Sequence, residues 1–157
     1  MQTADEFHAR IEKAQQAMKE FGLGAMVLEP GPAMMYLTGV RWGKSERSFL
    51  LVIPAKGEPA FVLPGFEEMR ARELIQVGSD IRVWQEDESP FERVAQVLKD
   101  RNVTAGRVGM DEAARFFVFD GVRKQAPALD YVSATQVLKA AGVDLSQAAA
   151  GRGRAKQ

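Results

Sequence analysis

Patterns typical of strands and helices alternate along most of this chain, and this alternation restricts the possible folds more than any other feature. The apolar runs that predict strands lie at residues 25–28, 48–53, 60–63, 81–84, 107–110 and 129–132. Segments with helical spacing of apolar residues separate most of these runs, and turn residues at 54–59 predict one hairpin. The pattern therefore predicts a single α/β domain in which helices cover both faces of a mixed sheet.

Capping residues mark where several helices begin and end. Thr3 followed by Glu6 predicts the start of the first helix, and Gly22 is expected to end it in the left-handed conformation. Ser89 followed by Pro90 predicts another helix start. Capping depends on residues close together along the chain, so we expect these helix starts and ends in the folded protein.

Two further helices are predicted from their apolar residues. The first spans residues 66–77, and its inward residues are expected to be Phe66, Met69, Leu74 and Val77. The second begins after a cap at Asp111 and continues to about residue 124. It is expected to pack through Phe116, Phe117 and Phe119, with two of these rings in the core and the third available to an interface.

Charge and composition exclude several classes of partner. The chain has 21 basic and 21 acidic residues and a formal net charge of zero, whereas a protein that neutralises phosphates usually has a basic excess. We therefore expect no nucleic acid partner. No apolar run approaches the roughly 20 residues that a membrane helix needs, and the first 20 residues do not resemble a secretory signal. We expect a cytoplasmic protein that does not bind a membrane.

The sequence offers little material for catalysis. It has no cysteine and one histidine, His8, which lies on the first predicted helix and is expected to be exposed. One histidine cannot supply the usual metal-ligand set, and a Ser-His-Asp arrangement has no supporting motif. Gly22-Leu23-Gly24 closes a helix instead of opening one, so it is not a dinucleotide motif. We therefore expect neither catalytic nor metal-binding residues in this chain.

The most informative polar segment runs from Tyr36 to Arg47 and joins two apolar segments. It contains Arg41, Trp42 and Arg47, and loops with Trp and Arg often form recognition surfaces. The alternative is a solvated connection whose tryptophan packs back onto the core. The sequence leaves both interpretations open.

The order of these segments resembles the N-terminal domain of the creatinase / prolidase / Xaa-Pro aminopeptidase family. Tyr36-Leu37-Thr38-Gly39, a polar loop and a strand at 48–54 match the Tyr-Leu-Thr-Gly signature of that domain. The Gly22–Leu28 strand entry, the hairpin arm at 57–64 and the strand-to-helix junction at 107–112 match its flanks. The likeness covers roughly residues 5–138.

The resemblance implies a three-layer α/β/α domain with a mixed sheet. In full-length relatives this domain precedes a "pita-bread" catalytic domain, which holds two metal ions and cleaves peptides before proline. It implies that the N-terminal domain itself builds subunit contacts and lends loop residues to the rim of an active site. Tyr36, Arg41, Trp42 and Arg47 are the expected rim or partner contacts.

We expect residues 1–142 to form this domain and residues 143–157 to form a disordered tail, with the catalytic domain absent. The chain is then expected to have no peptidase activity alone and no cofactor, because the metal site would belong to the catalytic domain. Its partner would be a second copy of itself or a separate catalytic chain. The alternative is a free-standing small-molecule or peptide binding module on the same fold.

Overall fold

The computed structural model describes residues 3–146 and contains a six-stranded sheet with the order β4-β3-β2-β1-β5-β6. The strands are β1 (Leu23–Leu28), β2 (Leu50–Pro54), β3 (Ala60–Pro64), β4 (Asp80–Trp84), β5 (Arg107–Met110) and β6 (Asp130–Ser133). β2 is antiparallel to both of its neighbours, and the pairs β3–β4, β1–β5 and β5–β6 are parallel. All strands except β2 therefore end at the same side of the sheet, which we call the carboxyl edge.

Helices cover both faces of this sheet, as the sequence predicts. They are α1 (Ala4–Phe21), α2 (Pro32–Thr38), α3 (Glu68–Leu74), α4 (Pro90–Asp100), α5 (Phe116–Gln125) and α6 (Thr135–Ala140). The larger core cluster packs α1, α2, α3 and α6 on one face, and the second cluster packs α4 and α5 on the other. Strand residues alternate between the clusters, as Met26 and Val27 of β1 do, because successive side chains of a strand point to opposite faces. The three-layer α/β/α prediction is confirmed.

The helix ends agree with the local signals in the sequence. The Thr3 side chain accepts a hydrogen bond from the backbone N–H of Glu6, and Gly22 ends α1 with φ of 73°. At α4, the hydroxyl of Ser89 accepts hydrogen bonds from the N–H groups of Phe91 and Glu92, each at 3.2 Å. These bonds satisfy backbone donors that have no partner within the helix.

Replacing Ser89 by alanine is expected to lower the free energy of unfolding by about 1 kcal/mol, because two N–H groups lose their acceptor. Urea denaturation followed by circular dichroism measures this change. Ser89→Asn is the matched control, since asparagine retains an acceptor at the same position. An alanine variant as stable as the wild type would show that solvent replaces this cap without cost.

The segment after β3 differs from its prediction. Residues Gly65–Glu67 form a 3₁₀ turn, and α3 follows it and ends at Leu74. Val77 is buried as predicted, but Phe66 is 84% exposed and Met69 is 82% exposed. Phe66 lies in the turn, so its side chain does not follow the periodicity of the helix, and α3 contacts the core through Ala71 instead. The prediction that Phe66 and Met69 point inward is wrong.

The segment after β5 also differs. Asp111 does not cap a helix, because its side chain accepts the N–H of Ala113 in a local turn and α5 begins only at Phe116. The inward positions of α5 belong to Val118 and Val122, which lie one turn apart.

The aromatic residues of α5 therefore face outward or sideways. Phe116 is 72% exposed and Phe117 is 42% exposed, while Phe119 packs edge-on against the Tyr131 ring, 5.9 Å away between centroids. The prediction that two of these three rings enter the core is wrong, because Val118 and Val122 occupy that face.

Packing continues past the domain boundary predicted at residue 142. Val143 is buried and its N–H donates to the carbonyl of Leu138, and Leu145 packs against the same core. The ordered domain therefore includes these residues, and the rest of the predicted tail, 147–157, lies outside the described residues. Within residues 3–146, no helix is long and apolar enough to span a membrane.

Candidate functional site

The Tyr-Leu-Thr-Gly motif has a structural role in this fold. Leu37 and Thr38 are fully buried, and the Thr38 hydroxyl donates to the carbonyl of Met34 and accepts the N–H of Val40. Gly39 ends α2 with φ of 80°, and its backbone lies directly against the Phe7 ring of α1. The motif thus closes α2 and packs it against α1.

Tyr36, the first of the predicted rim residues, packs against α1. The Arg10 guanidinium of α1 stacks 4.1 Å from the centroid of its ring and donates to its backbone carbonyl. The hydroxyl of Tyr36 is close to Gly142, in the turn after α6. These contacts of Tyr36 therefore join α2 to α1 and to the turn after α6.

The loop that follows, residues 41–47, runs to the start of β2. Within it, Trp42 packs back onto the core and is half-buried. Its ring stacks on Phe49 with centroids 4.5 Å apart, and the Arg70 guanidinium lies 4.5 Å from its ring centre. Of the two interpretations left open by the sequence, the one in which tryptophan folds back onto the core describes this side chain.

The two arginines of the loop differ in their surroundings. Arg41 is exposed, whereas Arg47 is half-buried at the carboxyl edge. The Arg47 guanidinium donates to Glu86, at 2.6 Å, and lies 5.9 Å from the ring centre of Phe66. The hydrogen bond to the Glu86 carboxylate raises the pKa of Arg47 further above its usual value. Arg47 thus joins the loop to the ends of β3 and β4.

A buried ion pair lies between the carboxyl ends of β1 and β5. Glu29 follows β1 and is fully buried, and Arg115 precedes α5. The guanidinium of Arg115 donates to Glu29 Oε1 at 2.7 Å, and its backbone N–H donates to Oε2 at 2.9 Å. Neither residue belongs to the motif or loop that the sequence points to, although an acidic residue directly after a wholly apolar strand is a signal that could have indicated Glu29.

This position is where open α/β sheets commonly bind ligands. The chain leaves β1 through α2 on one face and leaves β5 through α5 on the other, so the two strands form a topological switch point. Here the crevice holds the protein's own groups: the Glu29 carboxylate, the Arg115 guanidinium and the Ser45 carbonyl, which accepts from Arg115 at 2.8 Å. These hydrogen bonds therefore occupy the space between the ends of β1 and β5.

Exposed apolar side chains lie on either side of the loop at the carboxyl edge. Phe66 and Met69 follow β3 beside Arg47, and Phe116 and Phe117 begin α5 beside Arg115, whose guanidinium lies 4.7 Å from the Phe117 ring centre. Exposed apolar patches are often sites of contact with another protein.

The described residues do not fit a dinuclear metal site. Within residues 3–146, no three His, Asp or Glu side chains come together in an arrangement that could hold a metal ion. His8 is exposed on α1, as the sequence predicts. The chemistry that the carboxyl edge offers is apolar contact and arginine-mediated pairing, which is typical of a docking surface.

The fold and the edge define a class: a three-layer α/β/α domain whose motif is structural and whose exposed apolar residues suit contact with another protein surface. The family model of the creatinase/prolidase N-terminal domain matches residues 10–141. The chain belongs to this family, and the resemblance found in the sequence is confirmed.

Several relatives are similar over part of their length. An uncharacterized peptidase of Schizosaccharomyces pombe is 33% identical over 133 residues, which cover 76% of this chain and 28% of the relative. The probable dipeptidase PepE of Mycobacterium tuberculosis is 34% identical over 97 residues, 60% of this chain and 26% of the relative. The chain thus spans between a quarter and a third of the length of these relatives.

Solved structures agree with the fold. The dipeptidase PepE of Mycobacterium ulcerans superimposes with a TM-score of 0.74 at 26% identity, over 87% of this chain and 36% of that one. The N-terminal domain of an Xaa-Pro dipeptidase from Lactobacillus brevis has a TM-score of 0.74 at 20% identity, over 82% of this chain and 97% of that one. The second structure is an N-terminal domain determined by itself, so this fold can form without a second domain.

Proposed function

We propose that this chain acts as the non-catalytic N-terminal domain of an Xaa-Pro aminopeptidase- or prolidase-like metallopeptidase. It contacts a catalytic domain through the carboxyl edge, contributes to oligomerisation and forms part of the rim of an active site, with Arg41 and Arg47 as the polar contacts of its loop. Peptide hydrolysis and the dinuclear metal site belong to the catalytic domain, so the chain alone has no peptidase activity. We place this assembly in the cytoplasm, without nucleic acid or membrane as partners.

The observation that carries this proposal is the exposure of Phe66 and Met69 at the carboxyl edge, where more than four fifths of each side chain faces solvent. Leaving both exposed forgoes about 1.5–3 kcal/mol of burial free energy for each. Arg47 beside Phe66 and Arg70 over Trp42 add cationic groups that suit interface contacts. An apolar centre with arginines around it is typical of a protein–protein interface.

The alternative, a free-standing binding module, predicts an accessible cleft at the carboxyl ends of the strands near Tyr36 and Trp42. Glu29, Arg115 and the Ser45 carbonyl pair with one another at the switch point, and the Trp42 ring is contacted by Phe49 and Arg70. These contacts count against a cleft near Tyr36 and Trp42, which is where the binding module would need one.

The test measures docking directly. The catalytic region of the M. tuberculosis dipeptidase PepE, expressed without the segment that matches this chain, is titrated with the chain by isothermal calorimetry. Sedimentation equilibrium measures self-association of the chain in parallel. We expect binding or self-association, and we expect Phe66→Ser and Met69→Ser each to weaken it five- to thirty-fold, which corresponds to about 1–2 kcal/mol.

Phe21→Ser is the matched control, because Phe21 is also a partly exposed phenylalanine but lies at the end of α1, opposite the carboxyl edge. It is expected to leave binding unchanged. A chain that stays monomeric and does not bind the catalytic region contradicts the proposal. The non-catalytic assignment is contradicted if an activity that hydrolyses an Xaa-Pro dipeptide co-purifies with the chain and needs only added Mn²⁺.

A further inference from the structure

The loop at residues 41–47 has no helix or strand to hold its shape. The hydrogen bonds within the loop are local: the Ser45 hydroxyl donates to the carbonyl of Arg47 and accepts a hydrogen bond from the N–H of Arg47. Such short-range bonds shape a turn but do not fix its position on the domain. The position must therefore come from contacts with other elements.

One set of contacts comes from the turn before α5. The Arg115 guanidinium donates to the Ser45 carbonyl at 2.8 Å, and the Lys44 ammonium donates to the carbonyl of Ala113 at 3.0 Å. Both bonds join the middle of the loop to residues about 70 positions later in the chain. Trp42 and Arg47 anchor the two sides of the loop to α3 and to Glu86.

The orientation of Arg115 is in turn set by Glu29. The carboxylate of Glu29 accepts from Nε, from a terminal nitrogen and from the backbone N–H of Arg115, at distances between 2.7 and 3.3 Å. Glu29 is fully buried at the end of β1, a central strand of the sheet. The position of its carboxylate is therefore set by the sheet and not by the loop. Nη2 of Arg115 carries two N–H groups, and it donates to both Glu29 Oε1 and the Ser45 carbonyl, so the carboxylate that fixes the guanidinium also fixes the donor to the loop.

We infer that the Glu29–Arg115 ion pair is a positioning device: it fixes the loop at residues 41–47 in the shape that the carboxyl edge presents to a partner. Its effect on a partner passes through the loop. The link to a partner rests on the proposed function, whereas the effect on the loop belongs to this chain alone. Lysine cannot replace Arg115, because one ammonium does not reproduce the fork that reaches the carboxylate and the carbonyl together.

Limited proteolysis tests the effect on the loop. Trypsin cleaves after Arg41, Lys44 and Arg47, so the rate of cleavage under native conditions reports how often the loop leaves its position. We expect Arg115→Lys and Glu29→Gln to raise the cleavage rate at these three sites at least tenfold, with cut sites identified by mass spectrometry. Hydrogen exchange of the loop amides should increase in the same variants.

Val97→Ala is the matched control, because Val97 is fully buried in the core of the opposite face and its loss lowers stability without touching the loop. It is expected to leave loop cleavage at the wild-type rate. The inference is overturned if the Arg115 and Glu29 variants are cleaved at the wild-type rate. It is also overturned if Val97→Ala accelerates loop cleavage as much as they do.

The same variants separate this inference from the proposed function. Faster loop cleavage together with weaker binding to the PepE catalytic region supports both. Faster cleavage with unchanged binding supports the positioning role and contradicts the docking role of the loop. Unchanged cleavage overturns the positioning role whatever the binding result.

Discussion

Replacing Gly39 by alanine is expected to lower the free energy of unfolding by roughly 2–5 kcal/mol, which is a large part of the stability of a domain of this size. Two physical effects add at this position. The backbone has φ of 80°, which costs an L-residue about 1–2 kcal/mol. A Cβ at Gly39 would also lie 2.6 Å from Cζ of Phe7, and such overpacking costs roughly 1–3 kcal/mol.

Gly106→Ala is the matched control that separates these effects. Gly106 has φ of 88°, but a Cβ there would meet no atom within 4 Å. Its substitution should therefore cost only the conformational part. If urea denaturation shows equal losses for the two variants, the contact with Phe7 is relieved by small movements and contributes nothing. If Phe7→Leu restores part of the stability of Gly39→Ala, the overlap with the ring is the cause.

The second large effect is expected at Arg115. Arg115→Ala should lower the free energy of unfolding by about 3 kcal/mol, because it leaves the fully buried carboxylate of Glu29 without its cation. We expect the lower end of the usual range for a broken buried pair, since the Arg115 side chain is 33% exposed and water can reach the vacated space. Thermal and urea denaturation at neutral pH measure the change.

Arg72→Ala is the control for this prediction, because Arg72 pairs with Glu68 one helical turn away on an exposed surface of α3. Exposed pairs of this kind contribute only about 0.3–0.5 kcal/mol. If both alanine variants lost the same free energy of unfolding, burial of the Glu29 carboxylate would not be the cause of the loss at Arg115. Replacing Glu29 and Arg115 together by leucine should recover most of the stability, since no buried charge then remains unpaired.

These two predictions concern different parts of one surface. Gly39 closes the motif that packs α2 against α1, and it therefore sets where the loop begins. Arg115 holds the middle of the loop against the end of β1. Both residues act inside the domain, so their loss would change the proposed docking surface indirectly, whereas Phe66 and Met69 are part of the exposed surface itself.

Much of the local structure could be predicted from the sequence. The helix starts at Thr3 and Ser89 and the helix end at Gly22 follow from capping chemistry, which acts over three or four residues. All six strands were predicted to within two residues of their bounds, because apolar runs between turn residues mark them. The motif and its flanks were sufficient to identify the family.

The errors have a common physical cause. Periodicity predicts which residues share a helix face, but it does not say which face meets the sheet. In α3 the small side chain of Ala71 meets the core while Met69 faces solvent, and Phe66 lies in the turn before this helix. In α5, Val118 and Val122 occupy the face that meets the core, and Phe116 and Phe117 are exposed. Large apolar side chains were expected inside, and periodicity alone does not show when such side chains lie on the surface.

The sequence by itself determined the order of the elements, their capped ends and the family, because these depend on residues close together along the chain. Tertiary structure alone decided that β5 lies beside β1, which brings Glu29 and Arg115 together across 86 residues at the switch point. It also decided that Trp42 packs on Phe49 while Phe66 faces solvent. The reason is that pairing between distant segments depends on the relative positions of whole elements, which local propensity does not encode.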